Sequence, residues 1–161
     1  MNHCQLMIIS LLIASLLSSL PPPQELTTCS TSGTICAKGD GKRLTVRAGN
    51  ALLWSVPTSM MPIEMREDGL VVCVDRGLGI LPAYDPNIVV LQAFKAGAPL
   101  RPMRLGELAS RSQVQEGTSG WIWGRLANLI GNIAELELSN GTIVKVDLMT
   151  GAISRPAPAK Q

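Results

Sequence analysis

Leu70-Val71-Val72-Cys73-Val74 is five apolar residues in a row, introduced by the turn Glu67-Asp68-Gly69. A strand with one wet face alternates apolar and polar side chains, whereas a near-continuous apolar run belongs inside a sheet. Five residues suit a strand and are too few for a buried helix. Leu70–Asp75 is therefore predicted to be a central strand.

Outward from it, short apolar runs are separated by glycine turns, as in antiparallel sheets. Toward the N-terminus lie Thr34–Ala37, Arg43–Arg47 and Ala51–Val56, divided by Gly39-Asp40-Gly41 and Ala48-Gly49-Asn50. Met60–Arg66 carries Pro62, which cannot donate to a ladder and marks an edge strand. Toward the C-terminus, Ile88–Phe94 reads as a second core strand, followed by Trp121–Leu126, Ile133–Leu138, Thr142–Leu148 and a short strand near Ala152–Ser154. Ser139-Asn140-Gly141 predicts a type I′ hairpin turn, with positive φ at Asn140 and Gly141. The helix candidate is Arg104–Arg111, where Leu105, Leu108 and Ala109 share a face and Glu107 stands four residues before Arg111. The expected fold is an all-β antiparallel meander with one short helix, in a single domain over 33–155. A linker at 21–32 precedes it and a tail at 156–161 follows.

Two segments echo each other. Ile88-Val89-Val90-Leu91 leads to Gly97-Ala98 and Arg101-Pro102; Ile143-Val144-Lys145-Val146 leads to Gly151-Ala152 and Arg155-Pro156. The hairpin Asn140–Gly151, with its strand, Asp147 and Thr150-Gly151, resembles the paired outer strands of β-propeller repeats of the quinoprotein or YVTN kind. The resemblance covers under a tenth of the chain and transfers no functional residue. It implies propeller-blade-like sheets. A closed ring of four blades of about 40 residues needs more chain than the domain has, so the expectation is an open meander or a β-sandwich.

Leu6–Leu20 is a 15-residue apolar run that stops at Pro21-Pro22-Pro23. Spanning hydrocarbon takes about 20 residues, so the run fits a signal sequence better than an anchor. Residues 1–20 are read as a signal peptide or, if uncleaved, an N-terminal anchor providing the chain's contact with a membrane. The expected location is extracytoplasmic, periplasmic or secreted. Leu26-Thr27-Thr28-Cys29 resembles a lipobox but departs from it at Thr28 and in the intervening Pro21–Glu25, so Cys29 is read as structural.

The expected disulfide is Cys29–Cys36, closing a small loop through Ser30-Thr31-Ser32-Gly33, with Cys73 left as a buried thiol. No histidine follows His3, which removes Ser-His-Asp, Cys-His and histidine-metal chemistry from the domain. Fourteen basic side chains against 12 acidic ones, without a run of either sign, speak against a nucleic-acid face. Gly39-Asp40-Gly41-Lys42 and Gly77-Leu78-Gly79 lack the spacing of phosphate cradles and read as turns. Neither a cofactor nor a metal is expected. The carboxylates Glu64, Glu67, Asp68, Asp75, Asp85, Glu135 and Glu137 are the raw material for a hydrolase, the least favoured reading.

Trp121 and Trp123 alternate along a strand and are expected on one face, as core volume or as a binding platform with Arg104 and Arg125 on its rim. The expected function is non-catalytic: recognition of a protein or a small polar ligand by a surface or an edge strand. The alternative is a membrane-tethered accessory subunit of an envelope complex.

Overall fold

The computed structural model describes residues 25–155. The expected leader 1–20 and tail 156–161 lie outside the described residues, so their assignments stay expectations.

Three antiparallel meanders follow one another along the chain. Sheet I is β1 (Leu26–Cys29), β2 (Ile35–Gly39), β3 (Arg43–Ala48) and β4 (Ala51–Pro57), in that spatial order. Sheet II runs β5 (Met61–Met65), β6 (Leu70–Val74), β8 (Val89–Lys95), with β9 (Ala98–Pro99) and β10 (Met103–Arg104) both pairing on β8. Sheet III is β13 (Gly124–Ile130), β14 (Ile133–Leu138), β15 (Ile143–Asp147) and β16 (Ile153–Ser154). A small fourth sheet joins β7 (Ile80–Leu81) to the hairpin β11 (Gln115–Gly117) and β12 (Gly120–Ile122). The fold is all-β, with one short helix, α1 (Leu105–Leu108).

The sheets stack with II in the middle, and β6 explains why. All five of its residues are buried. Leu70, Val72 and Val74 pack toward sheet III with Leu91, Ala93, Leu136, Val144 and Val146. Val71 and Cys73 point the other way and meet Ala37, Leu44 and Val46 of sheet I. Period-two alternation thus sends one strand into two cores, which demands an apolar residue at every position. Charged side chains stand on the outermost faces: Lys38, Arg43 and Arg47 on the far side of sheet I, beside the exposed Leu52, and Glu135, Glu137 and Lys145 on that of sheet III. The arrangement is three blade-like layers rather than a two-sheet sandwich.

The echoing segments occupy equivalent places, because β8 and β15 are each the third strand of a meander. Arg101 and Arg155, which follow them, converge on α1. Arg101 pairs with the Glu107 carboxylate, and Arg155 donates to the Glu107 carbonyl at 2.7 Å.

Several local expectations change. Leu26–Cys29, inside the expected linker 21–32, pairs along β2, with Cys29 directly opposite Cys36. The expected disulfide closes there, Cys29–Cys36. The helix covers only Leu105–Leu108, since Ala109 returns to extended backbone (φ −142°), so Arg111 never reaches Glu107 along a helix. The hairpin turn has positive φ at Gly141 (82°) but not at Asn140. With Gly141 N–H donating to Leu138 O at 2.8 Å, it is a type I turn closed by a glycine bulge. Trp121–Leu126 is not one strand: it breaks at Trp123 into β12 and β13, which belong to different sheets.

Candidate functional site

Asp75 leaves the end of β6 at the mouth of a loop, Asp75-Arg76-Gly77-Leu78-Gly79, and its carboxylate folds back over that loop. Oδ1 accepts from Gly77 N–H at 2.8 Å and Oδ2 from Gly79 N–H at 3.1 Å. Oδ2 also accepts from the Trp123 indole Nε1–H at 2.7 Å. Trp123 N–H donates in turn to Gly79 O at 3.0 Å. These bonds tie sheet II to the segment entering sheet III. Burial pushes the Asp75 pKa up, while the indole and the two backbone donors pull it down by less.

The two segments cross at Gly79 and Gly124. A Cβ on Gly79 would stand 2.2 Å from Gly124 O, and one on Gly124 2.4 Å from Glu137 O. Only glycine fits such contacts, and this is the physical reason the expected Trp121–Leu126 strand breaks.

The loop forces Leu78 into the left-handed region, φ 52°, and leaves its side chain 43% exposed. An L-residue there costs roughly 1–2 kcal/mol. A fully buried leucine offsets that cost by leaving water; this one does so only in part.

Beside Leu78 a groove of about 410 Å³ opens between sheets II and III. Trp123 and Val74 lie at its base, Ile63 and Glu64 of β5 form one wall, and β13 from Gly124 to Leu129 forms the other. Both walls are bulged. Ile63 is the extra residue in β5 and Ala127 in β13. The second bulge lets Leu126 and Leu129, three apart, lie opposite Leu136 and Ala134 on the same core-facing side. The first puts Glu64 opposite Val72, on the side of sheet II turned toward sheet III. Glu64 has no ion-pair partner among the described residues, whereas Arg125 at the rim donates from Nε to Glu137 Oε2 at 2.9 Å. The apolar surface continues past Leu78 onto Ile80 and Ile122 of the small sheet.

The four residues expected to bind are dispersed. Trp123 is fully buried and offers no surface; its role is the bond to Asp75. Arg125 borders the groove. Trp121 is half-buried elsewhere, 5.8 Å from Tyr84 between ring centroids, with the Arg111 guanidinium stacked 4.5 Å above it. Arg104 sits in β10, at the opposite edge of sheet II from β5, where its backbone N–H donates to Glu107 Oε2 at 2.8 Å. The sequence offered Glu64 only as one of the hydrolase carboxylates, and Leu78 only as part of the turn Gly77-Leu78-Gly79. The candidate carboxylates disperse too: Glu67 accepts from Ser32, Asp68 pairs with Arg66, and Glu135 pairs with Lys145.

No family model matches the chain, and no curated protein matches it. In three dimensions it is similar to the crystal structure of BamB from Moraxella catarrhalis, with 14% identity and a TM-score of 0.26, over 79% of this chain and 47% of that one. The chain spans about half the length of that protein. A superposition this loose carries no argument about the groove. Among the described residues no helix is long and apolar enough to cross a membrane, and no cluster of three metal-ligating side chains occurs.

Proposed function

We propose that this is an extracytoplasmic, non-catalytic β-domain that recognises a protein partner through Leu78 and the adjoining groove. Leu78 carries the reading: a strained backbone, held by four hydrogen bonds around Asp75 and Gly79, presents an apolar side chain to solvent. Strain persists where surrounding structure over-determines it, and such positions cluster at binding sites. Arg125 serves as the polar rim, and Trp123 supports the groove from beneath. Trp121 and Arg104 take no part.

The disulfide Cys29–Cys36 supports an oxidising compartment, since such bonds are rare in the cytosol. The apolar run Leu6–Leu20 supports export. If that run is retained, the same domain becomes a tethered accessory subunit of an envelope complex, meeting its partner by the same surface.

A photocrosslinking residue placed at position 78, and for comparison at the exposed Met149, tests the reading in intact cells. A discrete protein adduct from 78 and none from 149 is expected. No adduct from 78, or equal adducts from both, overturns it.

A further inference from the structure

The groove has a shape, a charge and an open backbone edge that together specify its occupant. β13 borders it for six residues, Gly124 to Leu129, which is about 20 Å of extended chain. β13 pairs only with β14, so past Gly124, where Gly79 covers it, its other edge is open. β5 across the groove pairs only with β6 but packs against β1 and β2 of sheet I. The side of Pro62 closes on Gly39 there, leaving β13 as the accessible ladder. A strand edge binds extended polypeptide through its backbone and selects alternate side chains by the pockets beneath them. Here those pockets are lined by Ile63, Val74, Leu126 and Leu129. About 410 Å³ is at the small end of ligand clefts, enough for the inward side chains of a short strand and too little for a folded domain.

The charge is Glu64. It lies on an apolar face, half-buried, without a cation of its own among the described residues, while the nearby Arg125 is neutralised by Glu137. A partly desolvated carboxylate gains most from an incoming ammonium or guanidinium group.

We infer that the groove takes an extended segment of a partner protein, added as a strand on β13, with apolar side chains inward and a lysine or arginine opposite Glu64. This rests on the recognition role assigned to Leu78. Two fluorescein-labelled ten-residue peptides test it, each alternating valine and threonine and differing only in a central lysine or glutamate. Binding is read by anisotropy and by amide-exchange protection in 124–130.

The lysine peptide should bind saturably, at least about tenfold tighter than its glutamate twin, and protect the β13 edge. Glu64→Gln should abolish that preference. The peptide swap itself leaves the protein unchanged, so the result does not depend on how a variant folds. Equal binding of the two peptides, binding without protection of 124–130, or no binding overturns the inference. Arginine amide matching the lysine peptide also overturns it, in favour of a small polar ligand. In all these cases the crosslink from position 78 still decides the recognition role separately.

Discussion

The indole Nε1–H of Trp123 donates to Asp75 Oδ2 at 2.7 Å, joining residues 48 apart in sequence and two sheets that share no strand pairing. The acceptor is a carboxylate 5% exposed and the donor ring is fully buried. Trp123→Phe keeps most of the ring and removes the donor. It should cost about 2–3 kcal/mol, combining a charge-assisted bond with a less satisfied buried carboxylate. Urea unfolding followed by circular dichroism measures the loss.

Asp75 also sets an unusual pH dependence. Its folded pKa is raised above the unfolded 3.8, chiefly by burial. Protonated Asp75 therefore stabilises the fold below that pH, and this contribution disappears as pH rises through the folded value. Asp40, Glu67 and Asp147 behave oppositely, because backbone N–H groups hold their pKa values down. Their contribution exists above the unfolded value and is lost as pH falls. Urea midpoints of wild type minus Asp75→Asn should decline as pH rises from the unfolded value of 3.8. A rising difference would contradict the burial argument.

Leu78→Gly should uncouple stability from binding. Glycine releases the left-handed strain of roughly 1–2 kcal/mol and adds back about 0.5–1 kcal/mol of unfolded-chain entropy. Set against the burial lost with the covered part of the leucine, stability should stay within about 1 kcal/mol of wild type, while partner capture falls. Thermal unfolding and the crosslinking assay, the crosslinker moved to Ile80, read the two effects.

Cys73 is a thiol buried between sheets I and II, its pKa driven far up by burial. It should ignore a disulfide-exchange reagent such as Ellman's in the native state and react once guanidinium unfolds the chain. Replacing Cys29 and Cys36 together by alanine should cost about 2 kcal/mol, the loop-closure value for so short a ring. Differential scanning calorimetry of that double variant tests the second point.

The strands were legible in sequence wherever one strand's environment was uniform along it. β6 announced itself because both of its faces are buried, and Pro62 placed β5 at an edge because its missing N–H forbids anything else. The groove was not legible, because its walls depend on bulges at Ile63 and Ala127, each a single-residue slip that leaves no mark in composition. Trp121 and Trp123 misled for the same kind of reason. Period two puts them on one face only if the strand continues, and the Gly79–Gly124 crossing ends it between them. Leu78 was hidden inside what correctly read as a turn, since nothing local distinguishes a leucine that is exposed from one that folds inward.

Growth of such a stack is limited by its two ends. A fourth layer laid on sheet III would have to desolvate Glu135, Glu137 and Lys145, and one on sheet I would have to strip water from Lys38, Arg43 and Arg47. Desolvating those charges raises the cost of piling neighbouring molecules layer on layer. Exchanging Glu135 and Glu137 for valine would lower that cost at one end and leave a greasy flank ready to recruit another molecule.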